Sequence, residues 1–116
     1  MSGRIVIHSL EDAMAAVKAT ESSSRVCLIS APGAAASLGS MAFIEIVRAV
    51  RTANPDRQID AVLDCADAPG LALNALRHGA EAVRLDATPD VIAKVQAIAN
   101  TTQARVISAA QESPLL

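Results

Sequence analysis

Short apolar runs alternate with amphipathic stretches along the whole chain. Arg4-Ile5-Val6-Ile7 is a β-rich run that ends at His8-Ser9. Ser9 suits a helix N-cap, and Glu11 and Asp12 follow in the first turn, where acidic groups favour the positive end of the helix dipole. Leu10, Ala13, Met14 and Val17 then recur at helical spacing. Ser22-Ser23-Ser24 ends that helix. Arg25 to Ile29 is a second, nearly continuous apolar strand, of the kind a sheet covered on both faces requires. Ser30-Ala31-Pro32-Gly33 stops it, and a loop of small residues continues to Gly39-Ser40.

The same alternation continues beyond that loop. Met41 to Ala53 is the longest predicted helix, with Ile44, Val47 and Val50 on one side and Glu45, Arg48 and Arg51 on the other. Asn54-Pro55-Asp56 terminates it. Ile59 to Leu63 is the third strand, followed by Asp64-Cys65-Ala66-Asp67. Pro69 sits where the first turn of a helix tolerates proline, Leu71 to Arg77 carries the helix itself, and Gly79 follows at the position that favours left-handed backbone. Ala82 to Leu85 is the fourth strand. Thr88-Pro89-Asp90 opens a fourth helix with the buried stripe Val91, Ile92, Val95, Ile98 and Ala99. Ala104 to Ser108 is the fifth strand, and residues 109–116 form a tail containing Pro114.

Strands alternating with helices imply βαβ units joined by right-handed crossovers. The reading is one domain over residues 1–116: an open α/β fold with a five-stranded, mostly parallel sheet and four helices, either flavodoxin-like or half-barrel-like. Five strands with four helices leave part of a sheet face uncovered unless the helices divide two and two. Parallel sheets rarely expose apolar surface to water. The pattern therefore predicts a homodimer or higher homo-oligomer, with Leu115-Leu116 of the tail as a candidate cover.

Composition narrows the chemistry. Alanine supplies 25 of 116 residues, and Phe43 is the only aromatic. Val, Ile and Leu must build the core, while Ala lets helices approach the sheet closely. Without Trp or Tyr there are no platforms for base stacking, and ten scattered basic residues at net charge −2 do not make a phosphate-binding surface. No nucleic-acid partner is expected. No apolar run reaches the roughly 20 residues that cross a bilayer, and Met1 to Ile7 lacks the apolar core of a secretion signal. A cytoplasmic protein without a membrane partner is expected. Cys27 and Cys65 match no metal or redox spacing and read as two reduced, buried thiols.

In open α/β sheets, ligands bind beyond the carboxyl ends of the strands. That edge gathers His8, Ser30, Asp64, Asp67, Asp86 and Ser108 with the loop from Ala31 to Ser40. The loop, with Ser30, Gly33, Ser37, Gly39 and Ser40, can cradle an anion through backbone N–H groups, or it can simply be a closely packed connection. Five residues separate Gly33 from Gly39 and no Lys follows, so it is not a P-loop, nor is it a dinucleotide fingerprint. No cofactor is predicted. Asp64, Asp67 and Asp86 end neighbouring strands and can share a cation or a proton, or they can close turns and cap helices, as Thr88 does. A set of Ser30, His8 and Asp64 lacks the strained nucleophile turn of hydrolases. His78, at a helix end beside Gly79, reads as structural. Lys18 and Lys94, the only lysines, both fall on helices, which disfavours Schiff-base chemistry.

The stretch Leu76-Arg77-His78-Gly79-Ala80-Glu81-Ala82-Val83 resembles the helix, Gly-Ala, strand step of response-regulator receiver domains, a step that TIM-barrel βα units share. The receiver's functional residues do not carry over. Its phospho-accepting Asp falls near Ser30, its hydroxyl residue at Asp64 or Cys65, and its Lys in the Asp86–Thr88 region, which has none. Kinship of that kind implies that phosphotransfer has been lost. Three functional expectations follow: a domain binding a small anionic ligand at its strand ends, a self-associating structural or regulatory domain, or a metal-assisted enzyme using Asp64, Asp67 and Asp86.

Overall fold

The computed structural model describes residues 4–109. Five strands, β1 (Arg4–Ile7), β2 (Val26–Ser30), β3 (Ile59–Asp64), β4 (Ala82–Leu85) and β5 (Arg105–Ser108), alternate with helices α1 (Leu10–Ala19), α3 (Ser40–Ala53), α4 (Pro69–Arg77) and α5 (Pro89–Ala99). The small-residue loop, expected to be irregular, contains a further short helix, α2 (Ala34–Ser37), and a 3₁₀ turn at Asn100–Thr102 follows α5. The N-terminal signals act as their chemistry dictates. Ser9 Oγ accepts the Asp12 N–H, Thr88 Oγ1 accepts the Val91 N–H, and Pro69 and Pro89 open their helices where no backbone donor is needed.

The sheet is parallel throughout, in the order β1-β2-β3-β4-β5. A flavodoxin-like order would place β1 between β2 and β3. The sequential order is instead that of a half-barrel. Crossovers of one hand that always step in the same direction put every helix on the same face. The packing agrees. Ala13, Ala16 and Val17 of α1, Phe43, Val47 and Val50 of α3, Ala72, Ala75 and Leu76 of α4, and Val95 and Ala99 of α5 join one core with Ile7, Leu28, Ala61, Leu63, Val83, Leu85 and Val106 of the strands. Alanine dominates the α1 and α4 contributions, which lets these helices lie close to the sheet.

Ile98 of α5, assigned to a buried stripe, is exposed instead, and so are Leu10 and Met14 among the apolar positions of α1. These are the outermost helices of the layer. α1 has only α3 as a close helical neighbour and α5 only α4, so the outer flank of each meets solvent.

Among the described residues, the opposite face of the sheet carries no helix. Ile29, Val62, Ala82 and Ile107 form a separate buried cluster there. By register and strand alternation, Arg4, Val6, Asp60, Arg84 and Arg105 share this face, and Val6 is half exposed. The expected cover, Leu115-Leu116, lies outside the described residues. No helix among the described residues is long and apolar enough to cross a membrane.

Candidate functional site at the strand ends

Beyond the carboxyl ends of the central strands lies a cleft of about 660 Å³. It is lined by Val6 of β1, Ile29 and Ser30 of β2, Pro32 and Gly33 of the following loop, Asp64, Ala66 and Asp67 after β3, and Arg84 and Asp86 of β4 and its loop. Ser30, Gly33, Asp64, Asp67 and Asp86, singled out from the sequence, are thus brought together. Ser37, Gly39, Ser40 and Thr88 do not line it. Thr88 caps α5, and Ser40 Oγ lies 2.6 Å from His78 Nδ1, tying the start of α3 to the end of α4. His8 is also elsewhere: its N–H donates to Asp12 Oδ2 at 2.8 Å and its ring lies beside the same carboxylate.

Asp64 organises the floor of the cleft. Its carboxylate is buried. Oδ1 accepts the N–H groups of Gly33 at 3.0 Å and Ala66 at 2.8 Å, and Oδ2 accepts from the Arg84 guanidinium at 3.0 Å. The Asp64 N–H donates to Ser30 Oγ at 2.9 Å. A buried carboxylate is tolerable only with such compensation. One side chain therefore ties together the loop after β2, the loop after β3 and strand β4.

The small-residue loop does offer backbone donors to an anion, as its composition suggested, but the anion it holds is the protein's own. The Gly33 N–H points at Asp64, and Gly33 reaches that orientation with φ of +70°. Ala66 adopts φ of +53°, which is uncommon for a residue with a Cβ. It is held there from both sides, its N–H on Asp64 and its carbonyl accepting the Asp86 N–H at 2.8 Å. Backbone held in a sparsely populated region clusters at functional sites.

Arg84 escaped sequence reasoning. The signal was a lone charge inside the apolar strand Ala82-Val83-Arg84-Leu85, where alternation sends it to the face opposite Val83 and Leu85. Asp67 and Asp86 behave differently from Asp64. Both are exposed, and neither carboxylate has a hydrogen-bond or ion-pair partner among the described residues. Among the described residues no three His, Cys, Asp or Glu side chains are grouped so as to hold a metal ion. Asp64, Asp67 and Asp86 line one cleft without forming a cation cage.

Burial pushes the Cys65 thiol, next to this floor, up to about 12, with the Asp64 carboxylate adding to the shift. The thiol is therefore protonated at neutral pH and is a packing group rather than a nucleophile. No family model matches the chain, and no curated protein matches it.

Proposed function

We propose that this chain is a binding domain that takes a small polar molecule in the cleft at the ends of β2, β3 and β4. The single observation that carries this reading is the contrast between the carboxylates of the cleft. Asp64 is buried and engaged with Gly33, Ala66 and Arg84, whereas Asp67 and Asp86 line the same cleft exposed and without described partners. The first is architecture, and the other two present acceptors to whatever enters.

The same contrast speaks to the ligand. The described residues of the lining hold three carboxylates and one guanidinium, and that guanidinium already donates to Asp64. Such a lining favours a ligand that brings hydrogen-bond donors or a positive charge, such as a small amine or an amino sugar. A small anion would meet Asp67 and Asp86 as like charges, with Gly33 already committed to Asp64. Binding is favoured over catalysis because the described residues of the cleft include no nucleophile paired with a base. Ser30 Oγ accepts from Asp64 N–H and donates to the Ala31 carbonyl, and His8 lies outside the lining.

The test is an amide-resolved NMR titration with 1,3-diaminopropane, glucosamine, malonate and phosphate as probes. Saturable shifts at Gly33, Ala66 and Asp86 with the amines, and not with the anions, are expected. Saturation by malonate or phosphate at those amides, or no saturable shift with any probe, overturns the reading.

A second reading rests on the sheet face opposite the crossover helices. The order β1 to β5 leaves that face without helices among the described residues, and half-exposed Val6 lies both on it and in the cleft lining. A second copy of the chain packed there would bury Val6 and wall the cleft. Light scattering at micromolar concentration tests this: a dimer that Val6→Glu converts to monomer supports it, and a monomeric native chain refutes it.

A further inference from the structure

At the opposite end of the sheet, the ladder between β3 and β4 is open. Register pairs between these strands run only over Leu63↔Val83 and Asp64↔Arg84, whereas β2–β3 and β4–β5 each pair over four positions. Two charged side chains occupy the opening. Glu81 Oε2 accepts the Ala61 N–H at 3.0 Å, Arg51 donates to the Ile59 carbonyl at 2.6 Å, and the two side chains meet at 2.7 Å. They supply to β3 the hydrogen bonds that a fully paired neighbour would give.

A cavity of about 240 Å³ adjoins this pair. Its apolar wall is Phe43, Ile44 and Val47 of α3, and its floor is made of small residues, Ala61, Ala80 and Ala82. Arg51 and Glu81 are both part of its lining and remain partly exposed to solvent. Neither has exhausted its hydrogen-bonding capacity. A guanidinium has five N–H donors, and only Nη2 of Arg51 has partners among the described residues. Each Glu81 oxygen accepts one bond among the described residues and has room for a second. A second guanidinium, Arg48, also lines the recess and pairs with Glu45, while Arg51 and Glu81 set a cation and an anion side by side next to the apolar pocket. Pockets for drug-sized ligands start at roughly 300 Å³, so this one suits a smaller molecule.

The geometry points to a site for a hydrophobic α-amino acid. That class carries its ammonium and carboxylate on one carbon, matching Glu81 and Arg51, and projects an apolar side chain that fits the wall of Phe43, Ile44 and Val47. This site is separate from the strand-end cleft and does not depend on the reading given there.

The experiment is an amide-resolved NMR titration of the native chain with L-leucine, 4-methylpentanoate, 3-methylbutylamine and L-alanine. L-leucine is expected to give saturable shifts at Ala61, Glu81 and Ala82. The analogues lacking one charge or the branched side chain should bind roughly tenfold more weakly, as expected when one charged contact or the apolar contact is lost. Glu81→Gln keeps an acceptor for the Ala61 N–H while removing the charge. Provided its melting curve stays cooperative, it should bind L-leucine about tenfold more weakly. If it does not fold, the analogue series in the native chain decides alone. No saturable shift at these amides, equal binding of L-leucine and 4-methylpentanoate, or native affinity in a folded Glu81→Gln chain overturns the assignment.

Discussion

Arg84 and Asp64 are register partners on β4 and β3, and the Arg84 guanidinium donates to the Asp64 carboxylate at 3.0 Å across the strand pair. The carboxylate is the more deeply buried partner, and its other oxygen holds the two loops that shape the cleft. Replacing Asp64 by Ala leaves a guanidinium and two backbone N–H groups without this acceptor. Removing one partner of a buried pair is destabilising by roughly 3–5 kcal/mol. Asp64→Ala should therefore lose stability of that order in urea denaturation, and Asp64→Asn distinctly less, because the amide oxygen still accepts a backbone N–H. A loss under about 1 kcal/mol for the Ala variant would show that the floor is not built on this residue.

Cys65 gives the fold an alkaline limit. Its thiol ionises near 9 when unperturbed and is pushed up to about 12 in the folded chain, first by burial and then by the Asp64 carboxylate. A folded-state value raised in this way contributes stability that is fully present below pH 9 and is lost as the pH rises towards 12. Denaturation midpoints should fall across that window for the native chain, and this part of the fall should be absent in Cys65→Ala. Identical alkaline profiles for the two chains would remove the thiol from the account.

Arg57 closes the far end of α1. Its guanidinium donates to the carbonyls of Val17, Thr20, Glu21 and Ser24, gathering the last turn of the helix and the serine-rich turn after it. Charged donors to helix-end carbonyls combine hydrogen bonding with the favourable dipole interaction. Arg57→Ala should destabilise the chain by roughly 2–4 kcal/mol, and amide exchange in residues 17–24 should accelerate most. Arg57→Lys should rescue little, because an ammonium cannot span four carbonyls as the planar fork does. Full rescue by Lys would mean that charge, not geometry, does the holding.

Gly79 ends α4 with φ of +101°, its N–H on the Leu76 carbonyl, and a Cβ built there would meet nothing within 4 Å. Substitution is therefore opposed by backbone conformation alone. Gly79→Ala is expected to shift the unfolding free energy by about 1–2 kcal/mol. A neutral effect in thermal unfolding would indicate that the turn relaxes to negative φ.

The order of strands and helices was legible because each element carries its own chemistry. Ser9, Thr88, Pro69, Pro89 and Gly79 mark helix ends through local bonding that needs no tertiary information. Strand order was not legible, because the same βαβ rhythm serves a flavodoxin-like or a sequential sheet. Ile98 was misread as buried, and Leu10 and Met14 are exposed despite their helical spacing, because that spacing does not say which helices are outermost in the layer. At the site, the rule that ligands bind beyond strand ends gathered Asp64, Asp67 and Asp86 at one edge, and all three line one cleft. It could not divide them into one structural and two exposed carboxylates, since that depends on where Gly33, Ala66 and Arg84 point their donors. The split between β3 and β4 was equally hidden: it depends on Glu81 and Arg51 reaching backbone groups that are 20 and 8 residues away.

The most direct test of the strand-end cleft is calorimetric titration of 1,3-diaminopropane into the native chain and into the double variant Asp67→Asn/Asp86→Asn. Both carboxylates are exposed and have no described partners, so the variant should melt like the native chain. Two charge-assisted contacts removed should weaken binding by roughly a hundredfold. Unchanged affinity in the folded double variant would contradict the assignment of these carboxylates to the ligand.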